Sequence, residues 1–157
     1  MAVERTIEIA KLADQEDVEQ LLLEYGMGIS GEIGEYVVAK AAGVVCAVAK
    51  LLQVQENHFY LEVMGVSNGL RKAGWGGFLI AELLSDPWRY CRSAEGLPSA
   101  NYLITTIARG EAVAFYRRHG FQPGSFQMLM PPYSYQCEDC PDRETCAPVP
   151  MILETGG

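Results

Sequence analysis

Alternating apolar and polar positions predict four strands in the first half of the chain. The first strand is expected over residues 6–10, where apolar and polar side chains alternate. The second and third are expected over 35–41 and 44–53, joined by a tight turn at Ala42-Gly43. The fourth is expected over 59–66, just before a glycine-rich segment.

Apolar residues at helical spacing predict three helices. The first is expected to begin at Asp14, which would cap it, and the second to run from Gly74 to about Tyr90. The third, over 111–119, is followed by Gly120, a residue that suits the position just beyond a helix C-terminus. The apolar stripe of the first helix consists of Val18, Leu21, Leu22 and Tyr25, and that of the second of Trp75, Phe78, Leu79 and Leu83.

Three more strands are expected in the second half of the chain. They cover 102–108, 126–130 and 149–153, and Pro131-Pro132 ends the middle one. A length of 157 residues suits one hydrophobic core, so we predict a single domain over 1–157. Because strands and helices are mixed within it, the predicted class is α+β or α/β.

Composition and charge narrow the classes of function. The chain is 49% hydrophobic and 20% charged, which is ordinary for a folded globular protein. It has no apolar run long enough to span a bilayer and no apolar signal core at its N-terminus, so we expect a cytoplasmic protein without membrane contact. The net charge of -8, without a basic face, argues against nucleic acid as a partner. This acidic surface either attracts cationic amines or simply keeps the protein soluble.

The glycine-rich segment 70–77 has the features of an anion-binding turn. It follows a predicted strand and opens a predicted helix, whose first N–H groups have no partner within the helix. Its glycines let a phosphate approach the backbone, and Arg71 and Lys72 add positive charge. Glycines alone would also fit a helix that packs closely on a strand, and that alternative stays open.

Two better-known phosphate motifs do not fit this segment. A Walker loop would need Lys and then Ser or Thr directly after the second glycine, where this chain has Trp75. A dinucleotide fingerprint would need a small residue at the position of Leu79. The segment is therefore a phosphate-binding candidate of another kind.

Five cysteines are present, and three of them lie together near the C-terminus. Cys137, Cys140 and Cys146 form a C-x2-C-x5-C pattern within a loop expected at about 131–148. The first pair has the spacing of metal ligands, but the segment offers three ligands where a closed zinc site needs four. A structural metal, a redox-active pair or disulfide, and free thiols all stay open, and a metal is not our prediction.

Two segments resemble motifs of the GNAT superfamily of N-acetyltransferases. Residues 66–77, VSNGLRKAGWGG, resemble its acyl-CoA motif, in which a strand ending in Val is followed by Arg-x-x-Gly-x-Gly or Ala. Residues 112–121, AVAFYRRHGF, resemble its later helix, which carries a Tyr and ends in Gly-Phe. The order of strands and helices is also similar over 6–130, so several levels agree.

The resemblance implies an α+β fold with acetyl-CoA as co-substrate. The central sheet would be mostly antiparallel, with about seven strands and flanking helices, and its fourth and fifth strands would splay apart to admit the cofactor. Asn68 stands where the family often has Pro, and Arg109 where it often has an Asn that contacts the cofactor. The cofactor-binding residues implied are Met64, Val66, Arg71, Lys72, Ala73, Gly74, Trp75, Gly76, Gly77 and Arg109.

Tyr116 and Glu62 are the candidate catalytic residues. Tyr116 matches the family's Tyr, whose phenol would protonate the departing thiolate; the alternative is that it only packs. Glu62 lies on the fourth strand and would accept the proton of the amine, directly or through water; the alternative is an exposed glutamate on a solvated face. The N–H near Val66 is the candidate oxyanion donor. His58 and His119 are poor catalytic candidates.

The predicted function is transfer of an acetyl or other short acyl group from acetyl-CoA to a primary amine, by direct attack in a ternary complex. The acceptor would be a small molecule or a peptide, and the resemblance leaves a homodimer open. Two other functions are carried forward. One is a non-catalytic acyl-CoA-binding sensor, and the other is a metal- or redox-linked interaction protein on the same fold.

Overall fold

A seven-stranded sheet flanked by helices forms the fold, which confirms the predicted mixed α+β class. The computed structural model describes residues 4–156. The strands are β1 (Arg5–Ile9), β2 (Tyr36–Ala41), β3 (Val44–Gln55), β4 (His58–Val66), β5 (Leu103–Ala108), β6 (Gln122–Pro123) and β7 (Val149–Glu154). The helices are α1 (Gln15–Leu23), α2 (Trp75–Ser85), α3 (Pro87–Tyr90), α4 (Val113–Arg118) and α5 (Arg143–Cys146).

The strand order is β1-β2-β3-β4-β5-β7-β6. The pairs β1–β2, β2–β3, β5–β7 and β6–β7 are antiparallel. β4 and β5 pair in parallel, from His58 opposite Leu103 to Leu61 opposite Thr106. The mostly antiparallel sheet is thus confirmed, while the splaying of β4 from β5 stays a prediction.

The chain divides into two compact units. The first comprises Met1–Leu52 and Glu62–Glu95, and the second Gln53–Leu61 and Gly96–Gly157. β3 and β4 each contribute residues to both units. A single domain over 1–157 stays a prediction, and each unit is described below by itself.

The turn between β2 and β3 follows the sequence prediction. Ala42 and Gly43 both adopt positive φ angles, of 50° and 82°. Positive φ at both central residues defines the type I′ turn, whose twist matches that of the strands it joins. Gly43 adopts this conformation without strain, and the pairing of Ala41 with Val44 closes the hairpin.

The core of the first unit lies between α1 and the sheet. Val18, Leu21 and Leu22 of the predicted stripe are buried, and Gln15–Leu23 packs against β2, β3 and the last part of β4. Tyr25, the fourth predicted member, follows the helix and is half-buried. Fully buried aliphatic side chains of this kind contribute roughly 1.5–3 kcal/mol each. The cluster consists of Ala10, Val18, Leu21, Leu22, Tyr36, Val38, Val45, Val48 and Val63.

Asp14 does not cap α1, contrary to the sequence prediction. Its backbone is helical and its carboxylate makes no capping bond to α1. The carboxylate instead accepts the N–H of Lys11 at 2.9 Å and pairs with Lys40 on β2 at 2.8 Å. An ion pair to a neighbouring strand outweighs a local cap, because the carboxylate of Asp14 is buried and its pairing with Lys40 offsets the cost of burying its charge.

The helix predicted over 74–90 is two helices. α2 ends at Ser85, and α3 begins at Pro87. The residue before a proline disfavours helical angles, and Asp86 has φ -154° and ψ 78°. Asp86 then caps α3, accepting the N–H of Arg89 with its side chain at 3.3 Å.

The strand predicted over 126–130 is wrong. Phe126–Met128 forms a 3-10 turn, and the sixth strand is Gln122–Pro123, which pairs with Ile152 and Met151 of β7. Proline lacks an N–H and is tolerated on an edge strand, and β6 is the last strand of the sheet. The other predicted strands are confirmed to within a few residues at each end.

The core of the second unit contains Phe121, Ile104 and Met151, which are fully buried. Gly120 follows α4 with a φ of 94°, as expected for the residue beyond a helix C-terminus. Among the helices of residues 4–156, none has both the length and the apolar character needed to cross a membrane.

Candidate functional site

The N-terminus of α2 is preceded by a chain of tight turns. Leu70 N–H donates to Ser67 O, and Ala73 N–H donates to Leu70 O, both at 3.0 Å. Gly74 then takes a left-handed conformation with φ 84° as the N-cap, and the helix begins at Trp75. Only glycine adopts this conformation without cost, which explains the glycine at this place in the motif.

The first turn of α2 presents main-chain donors. The N–H groups of Trp75, Gly76 and Gly77 precede the first helical bond, in which Phe78 N–H donates to Gly74 O at 3.0 Å. The helix dipole places partial positive charge at the same end. No side chain caps this end of the helix. The Ala73 N–H is already committed to the preceding turn.

Cationic side chains stand at the edges of this turn. Arg71 and Lys72 are both exposed. The Arg71 guanidinium lies over the ring of Tyr25, 4.7 Å from its centroid. The guanidinium of Arg5 lies 4.5 Å from the ring of the buried Trp75, the first residue of the helix. The turn thus combines unpaired helical N–H groups with two mobile positive charges.

The main chain of Val66 already has hydrogen-bond partners. Its N–H donates to the phenol oxygen of Tyr25 at 2.9 Å, and the phenol donates to Val66 O at 2.8 Å. The sequence predicted Val66 as a main-chain contact of the cofactor and as the oxyanion donor. For either role, the phenol of Tyr25 has to leave first. The other predicted main-chain contact, Met64, is half-buried two residues earlier on β4.

Glu62 lies beside a buried lysine. Its Oε1 is 3.6 Å from Lys50 Nζ and 3.4 Å from Ser30 Oγ. The ammonium of Lys50, whose side chain is 6% exposed, also donates to Ser30 O at 2.9 Å and to Ser30 Oγ at 3.2 Å. Glu62 is therefore a half-buried carboxylate held by charge and hydrogen bonds, and not an exposed one on a solvated face.

Further contacts fix the loop that carries Ser30. Tyr36 on β2 accepts the Ser30 N–H at 3.0 Å with its phenol oxygen, and its ring lies 5.3 Å from Lys50 Nζ. Glu35 accepts the N–H of Glu32 at 2.7 Å and lies 3.9 Å from Lys50 Nζ. Lys50 is thus the central cation of a group formed by β2, β3, β4 and the loop after α1.

Tyr116 lies in the second unit, in the middle of α4. The residue is 7% exposed, and its ring packs edge-on against Phe115 and Phe121 at centroid distances of 5.3 and 5.4 Å. Aromatic rings prefer this edge-to-face geometry, so the phenol has a fixed direction. Arg109, the other predicted site residue of this unit, is exposed at the N-cap of a 3-10 turn.

Both histidines have pKa values below the ordinary value for histidine. His58 is buried, and its Nε2 lies 3.0 Å from Thr105 Oγ1. Burial lowers the pKa of His58. Burial and the neighbouring Arg118 also lower the pKa of His119.

The cysteine loop lies in the second unit. Cys140 N–H donates to Cys137 O at 3.3 Å in a tight turn, and the Arg143 guanidinium donates to the same carbonyl at 3.3 Å. Burial and the neighbouring thiols Cys140 and Cys146 raise the pKa of Cys137. Within residues 4–156, no group of His, Cys, Asp or Glu side chains is arranged to hold a metal ion.

The same loop places an aromatic side chain on β4. The ring of Tyr133 stacks on that of Tyr60 with a centroid distance of 3.7 Å and an angle of 16°. Gln136 donates to the Tyr60 phenol at 3.4 Å. This stack therefore holds the predicted loop at 131–148 against the first part of β4, within the second unit.

Sequence reasoning missed Tyr25, Ser30 and Lys50. Tyr25 was assigned to the apolar stripe of α1, yet its phenol reaches Val66, 41 residues away, and periodicity gives no signal for such a contact. Lys50 did give a signal, because it is a charged residue within an apolar strand. A buried lysine needs a carboxylate or several oxygen atoms nearby, which would have directed attention to Glu62.

Three crystal structures illustrate the similarity of this fold to known proteins. N-acetylglutamate synthase from Neisseria gonorrhoeae, complexed with coenzyme A and N-acetyl-glutamate, has a TM-score of 0.73 at 15% identity, covering 100% of this chain and 36% of that one. Rv2747 from Mycobacterium tuberculosis, in complex with CoA and NLQ, has a TM-score of 0.69 at 14% identity, covering 95% and 98%. The ribosomal-protein-S18-alanine N-acetyltransferase from Escherichia coli has a TM-score of 0.63 at 14% identity, covering 98% and 96%.

These structures show the fold alone, because identity is low throughout. The chain spans about a third of the length of the N-acetylglutamate synthase, whose match covers 36% of that protein. No curated protein matches the chain. The model of the Acetyltransferase (GNAT) family matches residues 4–121, which is most of the sequence. This chain therefore belongs to the Acetyltransferase (GNAT) family.

Proposed function

We propose that this protein transfers an acetyl or other short acyl group from acetyl-CoA to a primary amine within a ternary complex. The observation that carries the proposal is the open N-terminus of α2. Its unpaired N–H groups, the left-handed Gly74 and the exposed Arg71 and Lys72 form a seat for a diphosphate. The proposed seat consists of Arg71, Lys72, Gly74, Trp75, Gly76 and Gly77, with Ala73 holding the turn.

The residues of the seat fit the anionic end of coenzyme A. Main-chain donors and a helix dipole suit phosphate oxygens, and an arginine adds charge-assisted hydrogen bonds. Two of the similar crystal structures are described as complexes with coenzyme A or CoA, which supports the same ligand here. We propose Met64 and Val66 as main-chain contacts of the pantetheine arm and Arg109 as a further cofactor contact.

When bound, acetyl-CoA supplies a thioester, whose carbonyl carbon bonds to the acceptor nitrogen as the carbon–sulfur bond breaks. We propose that Glu62 takes the proton that the ammonium of the acceptor must lose, directly or through a water. The contacts to Lys50 and Ser30 hold Oε1 of Glu62 in place for this role. We propose that Tyr116 donates its phenolic proton to the departing sulfur. Glu62 takes up one proton of the ammonium before attack. After the carbon–nitrogen bond forms, the nitrogen loses a second proton, which restores the phenol of Tyr116 that protonated the sulfur. The products are an amide, a thiol and a protonated Glu62.

The acceptor carries a primary amine in this proposal. Similar structures are named for an N-acetylglutamate synthase and for an acetyltransferase of the alanine of ribosomal protein S18, so an amino group on a small molecule or a peptide is supported. The acidic charge of the chain, -8 in total, favours an acceptor that arrives as a cation.

Release of free thiol tests this proposal. The protein is mixed with acetyl-CoA and, one at a time, with amino acids, diamines and peptides with free N-termini. We expect acceptor-dependent thiol release, with one acetylated amine found by mass spectrometry for each thiol. Binding of acetyl-CoA without thiol release from any acceptor would favour the non-catalytic sensor instead. Absence of acetyl-CoA binding would contradict both.

A further inference from the structure

The side chain of Tyr25 occupies one edge of β4, where it bonds to the main chain of Val66. Within a strand, the N–H and C=O of one residue point to the same edge, and those of the next residue point to the other. Ser67 N–H donates to Cys46 O on β3 at 2.9 Å, so the Val66 groups point to the edge away from β3. There, the phenol oxygen of Tyr25 accepts from Val66 N–H and donates to Val66 O, at 2.9 and 2.8 Å.

A glycine makes room for this tyrosine. A Cβ placed on Gly65 would lie 2.9 Å from Cε2 of Tyr25, which is closer than a methyl group tolerates. Tyr25 follows the end of α1 at Leu23, and the adjacent Glu24 accepts the N–H of Asn68 at 3.0 and 3.1 Å with its two carboxylate oxygens. The end of α1 is therefore fastened to the start of the phosphate-binding turn.

The phenol matches the hydrogen-bonding pattern of an amide. At the edge of a strand, the C=O of a residue needs a hydrogen-bond donor and its N–H needs an acceptor. A secondary amide offers both, with its own N–H and C=O. A hydroxyl supplies both functions from a single oxygen atom. The pantetheine arm of coenzyme A contains such amides, so Tyr25 and the arm compete for the same two groups of Val66.

We propose that Tyr25 is a displaceable occupant of the cofactor site that sets the affinity for coenzyme A. This inference rests on the proposed function. The phenol and an amide of the pantetheine arm are alternative partners of Val66, and binding of coenzyme A exchanges the first for the second. Each hydrogen bond that the pantetheine amide makes with Val66 then replaces one made by Tyr25. The net free energy gained at Val66 is therefore small, and the affinity for coenzyme A is lower than it would be without the phenol.

Arg71 links this exchange to the phosphate seat. Its guanidinium lies over the Tyr25 ring at 4.7 Å, and it is also the first cation of the seat. A diphosphate that draws Arg71 toward itself removes one contact that holds the ring in place. By linkage, displacement of Tyr25 and occupation of the seat by phosphate favour each other.

The Tyr25→Phe variant tests the proposal. It keeps the ring beside Gly65 and beneath Arg71 but removes the oxygen, so Val66 loses its partner in the free protein and regains one in the complex. We expect the Kd for coenzyme A, measured by calorimetry, to fall about 3- to 10-fold relative to the wild type. The melting temperature of the free variant should fall as well, because two backbone groups lose their bonds.

Two controls sharpen the result. Tyr90→Phe removes a phenol that donates to Glu82 Oε2 at 2.9 Å in the same unit, and we expect its Kd to stay within twofold of the wild type. Adenosine 3′-phosphate 5′-diphosphate carries the phosphates but no amide, so Tyr25→Phe should improve its binding by much less than that of coenzyme A. A gain limited to coenzyme A locates the effect at Val66.

The outcomes separate this inference from the proposed function. If the wild type binds coenzyme A and Tyr25→Phe binds it no more tightly, Tyr25 is part of the scaffold and this inference fails alone. An equal gain for the amide-free fragment would also overturn it. If neither protein binds coenzyme A, the proposed function fails and this inference with it.

Discussion

At the scale of the residue, Glu62 shows how a site depends on neighbours that are distant in sequence. Ser30 comes from the loop after α1 and Lys50 from β3, and both contact the same oxygen of Glu62. A carboxylate held this way keeps a fixed direction, as a proton acceptor requires. Its chemistry is therefore testable by a change that preserves shape.

Glu62→Gln is expected to slow turnover without weakening cofactor binding. The amide keeps an oxygen for Lys50 and Ser30 but cannot take up the proton of an ammonium. We expect kcat at pH 7 to fall about 10²- to 10⁴-fold, measured by thiol release, while the Kd for acetyl-CoA stays within twofold.

The acceptor provides the control for this variant. An arylamine, which is largely unprotonated at pH 7, has no ammonium proton to lose before attack. The defect of Glu62→Gln should therefore be much smaller for an arylamine than for an alkylamine that the wild type also acetylates. Equal defects for the two acceptors would show that Glu62 does not act as the base.

Tyr116→Phe is expected to lower kcat by about 10²-fold with little change in the Kd for acetyl-CoA. The phenyl ring keeps its edge-on contacts to Phe115 and Phe121, so the fold of α4 should be retained. Thiol release and thermal melting measure the two effects. Unchanged turnover in a folded variant would mean that Tyr116 only packs.

Single residues also mark the limit of prediction from sequence. The glycines and Arg71 could be proposed as site residues because their spacing is local. The contact of Tyr25 with Val66 joins positions 41 residues apart, and depends on how α1 crosses the sheet. Lys50 lies between these two cases. Its charge within an apolar strand could be seen in the sequence, but its partner Glu62 could not.

At the scale of the element, the positions of strands were predicted more closely than the ends of helices. The β2–β3 hairpin was predicted from Ala42-Gly43, because turn chemistry is local. α2 was predicted too long, because apolar spacing continues through Trp88 although Pro87 ends the helix. Residues 126–130 are mostly apolar, but Phe126–Met128 forms a 3-10 turn, which composition does not distinguish from a strand.

The corner formed by β1, α1 and β2 should make stability depend on pH. Burial raises the pKa of Asp14, but hydrogen bonds from Lys40 and Lys11 outweigh it, and the net pKa lies below its ordinary value. A hydrogen bond from Lys40 likewise lowers the pKa of Glu8. Since these pKa values are lowered by folding, their stabilisation is present above about pH 5 and is lost as pH falls through 4 and below.

Asp14→Asn measures this contribution. We expect the free energy of unfolding in urea to fall by about 1–3 kcal/mol at pH 7, because Lys40 loses its shortest ion pair. The difference from the wild type should shrink at pH 3. Asp17→Asn changes an exposed aspartate in the first turn of α1 and should cost less than about 1 kcal/mol at either pH. Equal costs for the two variants would contradict this account of the corner.

At the scale of the whole molecule, the order of the motifs along the chain was better evidence for the family and its fold than any single motif. A valine-ended strand, a glycine-rich helix start and a later helix with Tyr and Gly-Phe occur in the order of the GNAT family, and the family model covers the same region, 4–121. The seven-stranded sheet follows from that order. The acceptor does not, because acceptor pockets are built from loops whose sequence is free to vary.

The whole chain is acidic, yet the proposed co-substrate is a polyanion. Binding a diphosphate to a protein with a net charge of -8 requires local donors that outweigh the overall repulsion. The first turn of α2 is where these donors are concentrated. A negative charge introduced at this turn should therefore weaken the binding of acetyl-CoA while leaving the stability of the protein nearly unchanged.

Calorimetric titration of acetyl-CoA into the wild type and Gly77→Glu tests most directly whether the N-terminus of α2 binds the diphosphate. Gly77 is the third residue of α2, where a glutamate suits the helix dipole and should not lower the melting temperature. We expect the wild type to bind and Gly77→Gln to bind within about tenfold of it. Gly77→Glu, which adds a carboxylate near the phosphates, should lose at least a further tenfold in affinity. Equal affinity of the Gln and Glu variants would contradict a phosphate seat at this helix.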